Sequence, residues 1–223
     1  AFEAKIEKCI AKAVEIGEGV VPTYFTHEVT DFEPVVDADG NPVMSHYGLQ
    51  KAKVKGFKAV PLPAFLEGPA RMMGYVDTDT AREMFNNVKK TDIYDSKLGM
   101  YKTSASIEEC SMENGRCRAF TPGWQERENV FLHMEYKYML AMIKAGLYDE
   151  FYETVTRALV PFLDPNMYGR SILENSSFIA SSANPNEDIH GRGFVARLSG
   201  STTEMISMWI EMFTGGKVFT YEN

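Results

Sequence analysis

Residues 2–17, FEAKIEKCIAKAVEIG, set Phe2, Ile6, Ile10 and Val14 at helical intervals and stop at a glycine, which predicts an amphipathic helix. From Val20 to Lys58 the period changes. β-Branched and aromatic residues surround an Ala-Asp-Gly-Asn-Pro turn at 38–42, predicting an irregular insertion with a hairpin near residues 20–58. Two helical patterns follow, PLPAFLEGPARMMGYV and DTDTAREMFNNVKKT, the second capped by the cluster Asp77 to Thr80. After a loop-rich passage from Asp92 to Gly123 comes the strongest helical pattern, ERENVFLHMEYKYMLAMIKAGL at 126–147. YDEFYETVTRALVPFLD continues it past Gly146, and the two predict a helical hairpin. Pro165 to Leu198 reads as a long connecting loop, and a last helix is expected at about 202–214 behind an S-x-x-E capping box from Ser201 to Glu204. Helices joined by short and long loops predict an all-α, mainly helical architecture over 1–223, with no separate second domain.

Composition narrows the partners. The 223 residues carry 23 Lys+Arg against 31 Asp+Glu, a net charge of −8 with no basic stripe, which argues against a nucleic-acid surface. There is no apolar run long enough for a membrane span and no N-terminal signal pattern, so a cytoplasmic protein is expected. Cys9, Cys110 and Cys117 are odd in number and lack metal-ligand spacing, which suits a reducing compartment and predicts no metal site. Without a secretory signal, the sequon Asn175-Ser176-Ser177 has little weight. The start at Ala1 and the ending VFTYEN read as a segment of a longer polypeptide.

Three places carry candidate chemistry. On the helix expected from Glu126, a 100° step puts Glu126, Asn129, His133, Tyr136 and Lys137 in one polar arc, either a solvated stripe or the wall of a ligand site. The loop MYGRSILENSSFIASSANPNEDIHGRGF offers Arg170, Glu174, Asn175, His190 and Arg192, suited to sugar hydroxyls or to bracing loop backbone. ARLSGST sets Arg197, Ser199, Gly200 and Ser201 at a helix start, which is either an anion cradle or a plain cap. Trp124, just before the long helix, is a candidate sugar platform, whereas the methionines of 134–142 read as core filling. No GxSxG elbow, HExxH helix, dinucleotide fingerprint or kinase signature is present.

FTPGWQERENVFLHMEYKYML, YGRSILENSSF and GFVARLSGSTTEM, in this order, resemble the C-terminal part of the catalytic domain of the cellobiose phosphorylase family. The wording is most similar to its 1,2-β-oligoglucan phosphorylases, and the likeness runs from about residue 62 to the end. The resemblance implies part of an (α/α)₆ barrel of the six-hairpin glycosidase type, a homodimer, and inverting phosphorolysis of β-linked glucooligosaccharides to α-glucose 1-phosphate. Inorganic phosphate is then the co-substrate, and no cofactor is needed. It implies that His133 and the Ser199-Gly200 turn contact phosphate, and that Arg170 and Glu174 fall among sugar-site residues. The family's general acid sits in an Asp-Trp-Asn-Asp type motif that has no counterpart before His133, so it is expected in a missing N-terminal part; neither Glu126 nor Glu128 is assigned to it. One protein carboxyl suffices in such a reaction, because phosphate replaces the water and base of an inverting hydrolase. A hydrolase on the same scaffold and a non-catalytic carbohydrate-binding or assembly segment are the competing readings.

Overall fold

The computed structural model describes residues 1–195, 199–216, 218 and 219. The expected all-α barrel is overturned: the chain is 43% helical and 18% strand, an α+β mixture with three small antiparallel sheets. The physical reason is strand length. Outside the first hairpin every strand among the described residues is two residues long, too short to show the alternation that marks a strand in sequence. None of the helices is long and apolar enough to cross a membrane, among the described residues.

The contacts divide the chain into two compact units, Tyr24–Leu62 and the combination of Ala1–Thr23 with Pro63–Asn223. The smaller is the hairpin that the Val20 to Lys58 pattern predicts. β1 (Phe25–Pro34) pairs antiparallel with β2 (Ala52–Pro61), in a register from Phe25 opposite Pro61 to Pro34 opposite Ala52. Beyond β1, the Asp37 carboxylate accepts hydrogen bonds from the amides of Asp39 (3.0 Å) and Asn41 (2.8 Å), and Gly40 takes φ +84°, closing the turn expected at 38–42.

In the larger unit α1 (Phe2–Ile16) forms as patterned, with Phe2, Ile6, Ile10 and Val14 all exposed. α2 (Glu67–Met72) and α3 (Thr78–Lys89) follow, and the Asp77 carboxylate caps α3 by accepting from the Thr80 amide (3.0 Å) and hydroxyl (2.8 Å). A short hairpin, β3 (Tyr94–Asp95) with β4 (Met100–Tyr101), lies in the passage read as loop. β5 (Val130–Phe131) leads directly into α4 (Leu132–Lys144), which packs against α2, α5 (Tyr148–Ala158) and α7 (Ser199–Thr214). At its end Gly146 (φ +79°) donates to the Ile143 carbonyl and Leu147 to that of Met142, a Schellman stop that turns the chain into α5. The long loop before α7 holds α6 (Pro165–Tyr168), β6 (Phe178–Ile179) and β7 (Gly193–Phe194), and β5, β6 and β7 make a three-stranded sheet.

Two helix starts differ from expectation. α4 begins at Leu132 and not at Glu126, because Gln125 (φ 56°) and Glu128 (φ 53°) stand in the left-handed region, which no α-helix accommodates. Glu126 and Asn129 therefore leave the polar arc. α7 begins at Ser199, so Ser201 is its buried third residue and not its cap.

α4 carries the core. Leu132, Tyr138, Met139 and Met142 are completely buried, each apolar side chain contributing on the order of 1.5–3 kcal/mol. Glu135 is buried among them, its carboxyl accepting from the Tyr101 amide at 3.0 and 3.3 Å and so tying α4 to β4. Desolvation, with a smaller push from Asp95, raises its pKa well above the usual carboxylate range. The folded chain thus holds this proton more tightly than the unfolded chain does. The associated stability is complete below about pH 4.5 and is lost as pH rises toward the folded pKa. Glu135→Gln should therefore gain on the wild type by about 1.4 kcal/mol per pH unit within that window and by nothing below it. Urea unfolding across pH checks this, and a pH-independent difference would refute it.

Candidate functional site: two helix starts around His133

His133 is the second residue of α4 and Gly200 the second residue of α7. They meet face on: a Cβ built on Gly200 would lie 2.4 Å from His133 Nδ1 and 2.7 Å from Cγ and Cε1, so only glycine lets the imidazole lie against the α7 backbone. One turn further along, Glu204 Oε1 stands 3.4 Å from His133 Nε2 and 3.7 Å from Lys137 Nζ. The helices therefore start side by side and run in the same direction over their first turns. Each helix start carries roughly half a positive charge, and at α4 the Leu132 amide is already taken by the Ser177 carbonyl at 3.0 Å. With His133 and Lys137 beside them, the arrangement favours an anion, and Glu204 supplies one from the protein itself.

The remaining expected residues divide. Tyr136 is completely buried; its hydroxyl donates to Asn175 Oδ1 (3.1 Å) and accepts from the Val160 amide (3.3 Å), while Asn175 Nδ2 reaches Met205 Sδ at 3.4 Å. Burial pushes the Tyr136 pKa up. This pair braces α4, α7 and the end of α5, and thereby holds His133 over Gly200. Arg170 and Glu174 pair with each other at 3.4 Å, and the buried Arg170 Nε has no hydrogen-bond partner among the described residues. Their loop is fastened by the Tyr168 hydroxyl, which donates to the Glu174 carbonyl and accepts from the Ser176 amide, both at 2.8 Å. His190 engages Lys97 Nζ and the Asn184 carbonyl, each at 2.8 Å, which places it in another loop cluster. Arg192 Nε donates to the Asp188 carbonyl. Arg197 lies outside the described residues, and Ser199 forms the first residue of α7.

Trp124 stacks on Phe194 with centroids 3.6 Å apart and planes within 5°, so one indole face is covered. Phe194 stacks on Phe178, Phe178 leans on Phe131, and the edge of Phe131 meets His133 at 5.8 Å. This row on the β5–β6–β7 sheet positions the imidazole from behind. Arginines hold both glutamates beside Trp124: Glu126 takes two 2.7 Å bonds from Arg116, and buried Glu128 pairs with Arg127 at 3.3 Å.

Sequence reasoning missed Glu204, which it assigned to a cap, and the basic lining of the adjoining cleft. That cleft, about 380 Å³, is bounded by Arg71, Tyr75, Lys137, Lys144 and Glu204 with a floor from Leu140 and Ala141. Three cations against one carboxylate oppose the overall negative charge. No periodicity could have joined Arg71 on α2 with Lys144 on α4. Among the described residues no three His, Cys, Asp or Glu side chains come together as a metal site. No family model matches the chain, and no curated protein matches it.

The Gly200 contact is directly testable. An alanine within a helix normally stabilises it by roughly 0.5–1 kcal/mol relative to glycine, whereas a Cβ here must displace the imidazole, at a cost of about 1–3 kcal/mol. Gly200→Ala should therefore lower the melting temperature and shift the His133 ring resonances. Stabilisation with an unmoved ring would contradict the packing.

Proposed function

We propose that the chain supplies the phosphate site and part of the sugar site of an inverting phosphorylase acting on β-linked glucooligosaccharides, with β-1,2-glucan the favoured substrate. What carries this reading is the imidazole of His133 lying against Gly200 where two parallel helices begin. The positive ends of the two helices, with His133 and Lys137, suit the dense charge of inorganic phosphate. In the proposed step a phosphate oxygen bonds to the anomeric carbon from the face opposite the leaving group. The glycosidic C–O bond breaks, and a carboxylic acid outside the described site protonates the departing oxygen, leaving α-glucose 1-phosphate. This chain's contribution is orientation and charge compensation for the nucleophile.

Glu204 supports one competing reading. A carboxylate 3.4 Å from an imidazole is also a pair that orients a general base toward water, as a hydrolase requires. The two readings separate on one variant. As a phosphorylase the protein releases glucose 1-phosphate only with phosphate, and Glu204→Gln lowers the apparent phosphate KM by removing a competing anion. As a hydrolase it releases glucose without phosphate, and the same variant abolishes turnover.

His133→Ala in the complete protein should raise the apparent phosphate KM by about 10- to 100-fold, the equivalent of one charge-assisted hydrogen bond, with a much smaller change in the glucan KM. Initial rates over a grid of phosphate and glucan concentrations check this. A glucan KM that rises while phosphate dependence stays fixed would move His133 to the sugar site and remove the basis of the proposal.

A further inference from the structure

Glu204 places a carboxylate inside the region where phosphate is proposed to bind. Its side chain is 15% exposed, and Oε1 stands 3.4 Å from His133 Nε2 and 3.7 Å from Lys137 Nζ. We propose that Glu204 is the selectivity residue of this site: it admits an oxyanion that carries a proton, inorganic phosphate, and rejects the fully ionised counterpart, sulfate. The inference rests on the reading of the His133 region as a phosphate site.

Distance is the first argument. Both separations exceed the N–H···O hydrogen-bond range of about 2.7–3.2 Å, so the carboxylate accompanies the two cations without a short bond to either. An oxyanion can therefore join His133 and Lys137 while Glu204 stays beside them. Access is open, because Lys137 and Glu204 both line the adjoining cleft of about 380 Å³.

The second is rigidity. Glu204 lies one turn after Gly200, whose missing side chain lets α7 close on the imidazole, and the next residue, Met205, receives Asn175 Nδ2 at 3.4 Å. The backbone that carries the carboxylate is held on both sides, so the negative charge is a fixed part of the site.

Charge chemistry supplies the third. A bare anion beside Glu204 meets a like charge at short range, in a place that little water reaches, and the two repel. A proton between them reverses the sign of that contact, because O–H···O⁻ is a charge-assisted hydrogen bond. At neutral pH inorganic phosphate keeps at least one P–O–H, whereas sulfate has lost both its protons. Phosphate thus donates to Glu204 and turns its other oxygens to His133 and Lys137. Sulfate, with the same tetrahedral shape and nearly the same size, presents only acceptors to an acceptor. Such discrimination comes from a repulsive element and not from shape.

The test is binding of phosphate and arsenate, which keep a proton, against sulfate and selenate, which do not, at neutral pH and constant ionic strength, read by the His133 ring resonances. Phosphate and arsenate should give saturable shifts, with sulfate and selenate weaker by about tenfold or more. Since each pair holds one smaller and one larger ion, size cannot produce this grouping. Glu204→Gln keeps the side chain's shape and replaces the carboxylate by a carbonyl that accepts from P–O–H and an amide that donates to sulfate. Both ions gain from loss of the charge, sulfate the more, so the preference for phosphate over sulfate should fall by about tenfold. Equal binding of phosphate and sulfate by the wild type, or an unchanged preference in Glu204→Gln, would overturn the inference and leave the phosphate reading standing. Absence of any shift with phosphate would sink that reading, and the inference with it. The comparison of the four ions needs no variant, so it decides the matter even where Glu204→Gln does not fold.

Discussion

The contact between Gly200 and His133 is the constraint on which the rest of this region depends. Two helices that start together and run in parallel bring like partial charges together, which disfavours the pairing unless negative charge is supplied at the same end. Glu204 supplies it from within α7, reaching both His133 and Lys137. Close approach needs a residue without a side chain at position 200, and glycine there forfeits some helix propensity. The contact persists because it is fixed from several sides: Tyr136 through Asn175 to Met205 on one, and the aromatic row from Trp124 to Phe131 on the other.

The loops act as clamps around α4 and not as slack between helices. Glu135 and Tyr136 are polar groups inside the core, and burying them is tolerable only where each meets a partner. Their partners come from other parts of the chain: the Tyr101 amide, Asn175 and the Val160 amide. The Asn129 carbonyl likewise accepts from the Thr103 amide and hydroxyl, which ties the approach to α4 to the passage after β4. Residues distant in sequence thus satisfy these polar groups of α4 and its approach.

This division explains what was legible in the sequence. The cap at Asp77, the α4–α5 turn at Gly146 and the hairpin between Val20 and Lys58 rest on neighbouring residues, and local rules found them. The helix start at Leu132 did not follow, because Glu126, Arg127 and Glu128 have good helix propensity and nothing local announces left-handed backbone at Gln125 and Glu128. The two-residue strands escaped for want of length, and with them the α+β class. In the candidate site His133 and Gly200 were readable from resemblance and Lys137 from the polar arc, and the structure brings them together. Glu204 was not, since its spacing from Ser201 fits a cap equally well. His190, chosen for its chemistry alone, engages Lys97 and Asn184 instead.

A chain of net charge −8 that gathers cations at one cleft raises the question of which field an approaching anion meets. At physiological ionic strength, charges beyond about 8 Å are largely screened at the surface, so the distant acidic residues contribute little at the cleft mouth. Arg71, Lys137 and Lys144 lie within the lining itself, together with the apolar floor of Leu140 and Ala141 that weakens screening between them. The field an anion encounters is therefore set locally, by these cations and by the carboxylates that pair with two of them, Glu67 with Arg71 at 3.4 Å and Glu204 with Lys137 at 3.7 Å. A small anion that fits inside the cleft meets mainly the lining side chains and the two helix starts beside it. The scale of the charge pattern, more than its total, sets the field inside the cleft.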